Sequence, residues 1–175
     1  MPPTESSLQK EIRQSKPFRS RGHEALLGLL RTASLLRQGV ARTVEPHGIT
    51  PQQYNVLRIL RGAGEEALPT LEIADRLIEP CPGVTRLLDR LEARGLASRR
   101  RCPEDRRQVL CRITEAGLAL LDETRPEIDA MEASALDVLE PAELDQLIGL
   151  LDRIRADLAA KRDREATSED AKEAP

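Results

Sequence analysis

The sequence predicts a mostly helical chain carrying one small β-hairpin. Apolar residues recur at helical spacing through most of its length. Two runs short enough for strands, Leu96 to Cys102 and Gln108 to Ile113, flank a turn containing Pro103 and Asp105. Proline and glycine fall between the periodic stretches. At 175 residues the chain fits one domain, or one domain with an added subunit-contacting element.

Residues 1–18 are polar, contain three prolines and are expected to form a flexible N-terminal arm. From His23 to Thr43, Leu26, Leu27, Leu30, Ala33, Leu36 and Val40 mark a long helix. His47-Gly48 is a turn. Thr50-Pro51-Gln52-Gln53 is a helix start, with Thr as cap, Pro in the first position and Gln as reciprocal partner. Tyr54, Leu57 and Leu60 give that helix its inward stripe, and Gly62 and Gly64 end it. Leu68-Pro69-Thr70 opens a short helix carrying Leu71, Ala74, Leu77 and Ile78, and Pro80 and Pro82 break the chain. In the next helix, about 82–94, Val84, Leu87, Leu88 and Leu91 face inward. The opposite face holds Arg86, Asp89, Arg90 and Ala93, with Thr85 at its flank; Gly95 suits the stop. After the hairpin, Thr114 caps a helix to about Leu139, with Pro126 as a bend. Pro141 restarts a helix carrying Leu144, Leu147, Ile148, Leu151, Ile154 and Leu158. Residues 162–175 are charged, lack apolar spacing and are expected to be a disordered tail.

The short helix at 69–78, the turn and the helix at 82–94 together make a helix-turn-helix, and the hairpin adds a wing. Charge is concentrated there. Between Glu79 and Thr114 lie nine arginines and five acidic residues, about +4, in a chain of net charge -3. A basic helix and basic hairpin in an acidic protein form the electrostatic footprint of a DNA-reading surface. Phe18 and Tyr54 are the only aromatic residues of the Phe, Tyr and Trp class, which disfavours base stacking on single strands.

These residues resemble the MarR (multiple antibiotic resistance regulator) family of winged-helix transcription factors, from about Ile49 to Leu121. ITPQQYNVLRIL is similar to the family's second helix, LEIADRL to its third and VTRLLDRLEARGL to its recognition helix; the PEDRR wing and ITEAGLALL follow at the expected spacing. One departure is the lead-in Pro80-Cys81-Pro82-Gly83, where the family usually has a small polar residue such as Ser. The resemblance implies a MarR-type domain over 19–161. Its winged unit spans about 49–114, flanked by dimerisation helices at about 20–44 and 115–161. It further implies a homodimeric repressor of palindromic operators in double-stranded DNA, relieved by a small molecule. The family's usual effector site would fall near His47 and Tyr54.

Arg86 is placed to bond the O6 and N7 of guanine or to hold a phosphate. Thr85 is a candidate for phosphate, base or thymine methyl, and Arg90 for phosphate. Arg99, Arg100 and Arg101 alternate sides of a strand, so one or two are expected on phosphate, with Arg99 and Arg101 as candidates. Asp105, Arg106 and Arg107 form the wing tip. By resemblance Arg107 enters a minor groove and Asp105 fixes its guanidinium. Leu144, Leu147, Leu151, Ile154 and Leu158 form a stripe too long for so small a domain to bury, which points to a symmetric dimer reading a two-fold site.

Cys81, Cys102 and Cys111 have neither disulfide nor zinc spacing. Cys81, placed at a helix N-terminus, leaves open an oxidant-sensing regulator as an alternative. A winged module binding protein alone is another; it would carry an apolar recognition face. No phosphate loop, nucleophile triad or prominent carboxylate pair is present, so neither an enzyme nor a cofactor is expected. No apolar run reaches membrane-spanning length and no signal peptide is recognisable, giving an expected cytoplasmic location.

Overall fold

Capping chemistry sets most of the element boundaries. The computed structural model describes residues 6–105 and 107–173. They form α1 (Ser7–Glu11), α2 (Arg21–Val44), a 3-10 turn (Glu45–His47), α3 (Pro51–Gly62), β1 (Leu68–Pro69), α4 (Thr70–Arg76), α5 (Val84–Ala93), β2 (Ala97–Arg101), β3 (Val109–Ile113), α6 (Glu115–Leu136) and α7 (Pro141–Glu173). The reciprocal cap of α3 is present as expected. The Thr50 hydroxyl accepts from the Gln53 N–H at 3.2 Å, and the Gln53 side chain accepts from the Thr50 N–H at 2.9 Å.

Three differences from the sequence reading have identifiable physical causes. Residues 6–18 of the expected arm include α1, which Ser6 caps by accepting from the Gln9 N–H. Glu11 of this helix pairs with Arg31 of α2 at 2.7 Å. In place of the expected tail, α7 continues to Glu173. Ala, Lys, Arg and Glu dominate this stretch and propagate helix without needing an apolar face, and Lys161 pairs with Asp157 one turn back at 2.5 Å. The hairpin is the larger part of a three-stranded antiparallel sheet in the order β1-β3-β2. Leu68 lies opposite Cys111 and Pro69 opposite Leu110, where the sequence indicated a helix start. Two residues are too few to show an alternation.

The chain divides into two compact units, 1–132 and 133–175. The first reaches beyond the winged unit's expected end near 114, because Leu121, Thr124 and Ile128 of α6 are buried. Its core gathers Val56, Leu57 and Leu60 of α3, Ile73 of α4, and Leu88 and Leu91 of α5. In the second unit, Leu144, Leu147 and Leu151 of α7 are half-buried, while Ile148, Leu150, Ile154 and Leu158 are exposed.

One junction aims the reading elements. The Thr114 hydroxyl donates to the Gly95 carbonyl at 2.6 Å and accepts from the Gly117 N–H at 3.1 Å. It thereby joins the end of α5 to the start of α6. A Cβ on Gly117 would meet the Leu96 carbonyl oxygen at 2.2 Å and Ile113 Cγ1 at 2.7 Å. Glycine is needed there to let helix and loop backbones touch. Gly117→Ala is expected to destabilise the fold by about 3 kcal/mol, the upper part of the overpacking range. Chemical denaturation measures this; an unchanged midpoint would show that the junction has slack.

Candidate nucleic-acid interface

The recognition helix is oriented by what it buries. Val84, Leu88 and Leu91 are buried and Leu87 half-buried, whereas Thr85, Arg86, Asp89, Arg90 and Ala93 are exposed. The lead-in Pro80-Cys81-Pro82 brings Gly83 to the N-cap with φ 101°, a left-handed conformation that favours glycine. No side chain caps this end; the Gly83 carbonyl accepts from the Arg86 N–H at 2.9 Å. Arg86 and Arg90 lie one turn apart on the outward face, and neither pairs with an acidic group among the described residues.

The described arginines of the segment separate into internal and outward groups. Arg94 donates to the main-chain carbonyls of His47, at 3.2 Å, and Gly48, so it holds the end of α5 to the turn before α3. Arg99, a candidate phosphate contact by sequence, instead lies against α5. Its Nε and Nη2 donate to Glu92 Oε2 at 2.9 and 2.6 Å, and Nη2 lies 2.7 Å from Asp89 Oδ1. The hydrogen bond with Glu92, partly opposed by burial and reinforced by Asp89, pushes its pKa upward. The alternation that separates Arg99 from Arg100 places it on the face of β2 that also carries buried Ala97. Arg100, Arg101 and Arg107 are exposed; Arg106 lies outside the described residues.

Asp105 also acts differently from the sequence reading. Its Oδ1 accepts from the Arg107 main-chain N–H at 3.0 Å and its Oδ2 from Gln108 Nε2 at 3.2 Å. The Asp105 carbonyl takes the Gln108 N–H at 2.9 Å. The carboxylate therefore closes the wing turn through the backbone instead of steering the Arg107 guanidinium, as Asp side chains do in tight turns.

A cavity of about 650 Å³ lies between α2, α3, the segment Leu77–Glu79 and α6. Tyr54 lines it, with the Arg58 guanidinium 5.9 Å from its ring centre. Burial raises the Tyr54 pKa, Arg58 opposing, which keeps the phenol neutral. His47, the other residue expected at an effector site, is not in the lining. Its two ring nitrogens instead stand 3.4 Å from Glu123 and Glu127 of α6. Two features of the cavity escaped the sequence reading. Arg37 of α2 pairs with Glu79 at 2.7 Å, and Asn55 of α3 accepts from the Ile78 N–H at 3.0 Å. Both hold the segment that leads into the recognition helix. They join residues distant in sequence, so no local pattern marks them.

Cys81, Cys102 and Cys111 are all free thiols. Cys81 lies two positions before the N-cap of α5, outside the first helical turn, with its Sγ 3.7 Å from the Pro82 carbonyl oxygen. Cys111 is fully buried, and burial pushes its thiol pKa up against the Thr70 hydrogen bond. Among the described residues no cluster of His, Cys, Asp and Glu suits a metal ion, and no helix is long and apolar enough to cross a membrane.

A winged helix-turn-helix with an outward arginine face defines a class of DNA-binding regulator, and comparison with known proteins agrees. The MarR family model matches residues 47–108. The HTH-type transcriptional regulator YkoM of Bacillus subtilis is 36% identical over 63% of this chain and 70% of its own length. A MarR transcription factor from Planctomyces limnophilus shares 39% identity over 78% of this chain and 98% of its own, with a TM-score of 0.61. Bordetella bronchiseptica BpsR, whose DNA binding is regulated by 6-hydroxynicotinic acid, shares 27% identity over 75% of this chain and 98% of its own, with a TM-score of 0.68. The chain belongs to the MarR family: it is a DNA-binding transcriptional regulator and not an enzyme.

Asp105 offers a direct check of the wing. Asp105→Asn keeps an oxygen for the Arg107 N–H and is expected to hold DNA nearly as well as the parent. Asp105→Ala loses the turn closure, about 1 kcal/mol or roughly five-fold in affinity. Equal loss in both variants, measured by anisotropy titration, would mean that the charge matters and the turn bond does not.

Proposed function

We propose that the protein is a homodimeric repressor that binds palindromic double-stranded operators and is released by a small molecule held in the α2–α3–α6 cavity. The observation that carries the DNA-reading part is the exposed face of α5. Thr85, Arg86 and Arg90 stand free on it, in a chain whose net charge is negative. Arg86 bonds a base edge in the major groove, Arg90 and Arg101 take phosphate, and Arg107, with Arg106 beside it in sequence, reaches the minor groove. The same polar face disfavours a module that binds protein alone. Thiol sensing has no comparable support, given where Cys81 and Cys111 lie.

Self-association is supported by apolar residues that the chain leaves uncovered. On α2 these include Leu26, Leu29 and Leu30, and on α7 Ile148, Leu150, Ile154 and Leu158. Exposed leucine and isoleucine on two long helices are best covered by a partner, and a second copy supplies matching residues by symmetry. Effector control is supported by the cavity's walls. A molecule entering beside Tyr54 meets Ile78 and Glu79, which lead through Pro80-Cys81-Pro82-Gly83 into the recognition helix. Control of BpsR by a small heteroaromatic acid accords with this reading.

Two experiments test these parts. Arg86→Ala is expected to cost about 1–3 kcal/mol and to relax preference at one position of each half-site. Arg107→Ala is expected to lose more on operators with narrow A·T flanks than on G·C flanks. Wild-type binding by both variants on every flank would remove the DNA-contact assignment. Separately, a chain ending before Glu140 is expected to sediment as monomer or aggregate. A stable dimer of that fragment would place the interface elsewhere.

A further inference from the structure

We propose that Arg99 is a positioning residue: it joins the recognition helix to the wing, so that the two reading elements meet DNA as one body. The inference rests on DNA reading by α5 and the wing and adds how they are coupled. Asp89 and Glu92 are three residues apart and share one side of α5. Arg99 is the middle residue of β2, opposite Cys111, with the core-anchored pair Ala97 and Ile113 on one side and the outer pair Arg101 and Val109 on the other. Its guanidinium bridges both carboxylates at 2.6 to 2.9 Å. Only 21% of its side chain is exposed, against 53% for Asp89 and 39% for Glu92.

Two consequences follow from this geometry. The first is electrostatic. Asp89 lies between Arg86 and Arg90 in the sequence of the DNA-facing helix, where a bare carboxylate would repel phosphate. Arg99 compensates that charge from behind and is left with little freedom to reach DNA itself. The second is mechanical. Beyond Arg100, where β1 ends, the wing continues as a two-stranded ribbon, and such a ribbon twists easily. The bridge fixes the ribbon against the helix and so sets the distance between the residues that enter the major and minor grooves. An acidic pair on a DNA-reading helix, otherwise costly, is then part of the reading apparatus.

The test is a mutant cycle on the full-length chain. It is read by anisotropy with duplexes from the region upstream of its gene, carrying either A·T or G·C flanks. Arg99→Gln is expected to weaken binding roughly ten-fold, within the usual range of coupling between contacting groups. It should also flatten the difference between flanks and make a further Arg107→Ala substitution nearly silent. In an Asp89→Asn, Glu92→Gln background, replacing Arg99 leaves no carboxylate unpaired. There Arg99→Gln should cost less than about two-fold, the level at which independent sites simply add. Arg99→Lys, which retains one pair, should keep part of the flank preference; it serves as the readout if Arg99→Gln does not fold. An equal cost of Arg99→Gln in both backgrounds, with the salt slope reduced by about one, would show a direct phosphate contact and overturn the proposal. Unchanged flank preference in Arg99→Gln would overturn it as well. If the parent chain binds no duplex at all, DNA reading fails first, and that outcome is distinct from either.

Discussion

Burial of the inner face of α5 against the core is the constraint on which the rest of the site depends. Val84, Leu88 and Leu91 are withdrawn from water together with Leu57, Leu60 and Ile73. Each fully buried side chain of this kind contributes about 1.5–3 kcal/mol. No surface ion pair competes with that sum, so the helix has one available rotation about its axis. Arg86 and Arg90 point outward because the leucines cannot. The sheet shares the same core, in which Cys111 and Ile113 of β3 are buried.

Around that fixed helix, short polar links set the positions of its neighbours. Thr114 joins the end of α5 to α6 through Gly95 and Gly117. Arg94 joins it to the turn before α3. Arg37 and Asn55 hold the segment just before it, at the wall of the cavity. Most of these links are exposed and individually weak, worth at most about 1 kcal/mol apiece. Such contacts fix the neighbours less firmly than burial fixes the helix. The buried leucines, in contrast, keep the helix intact whichever way the surrounding links are set.

Much of this was readable in the sequence, for physical reasons that differ by element. The helix at 84–93 announces itself because Val84, Leu87, Leu88 and Leu91 repeat at the period the backbone imposes. Thr50 and Gln53 mark the start of α3 because their bonds are local. Interactions that join distant segments leave no such trace. Strand alternation separates Arg99 from Arg100 but does not reveal that Asp89 and Glu92 lie opposite Arg99. His47 and Tyr54 are near in sequence, yet His47 faces the carboxylates of α6 and Tyr54 the cavity. The strand at Leu68–Pro69 exists only through its pairing with β3. The helical ends at 7–11 and beyond 161 were missed for another reason: they rest on capping and on helix-forming residues, without an apolar stripe.

On the proposed reading, the outward arginines of α5 and the wing hold duplex DNA through its phosphates. The most direct measurement is the salt dependence of binding to the duplex upstream of its own gene. Neutralised phosphates release counterions, so the logarithm of the binding constant should fall linearly with the logarithm of salt concentration. The slope should be about −0.9 per phosphate engaged, and several phosphates should be counted across a dimer. A binding constant that stays flat between low and moderate salt would contradict the claim.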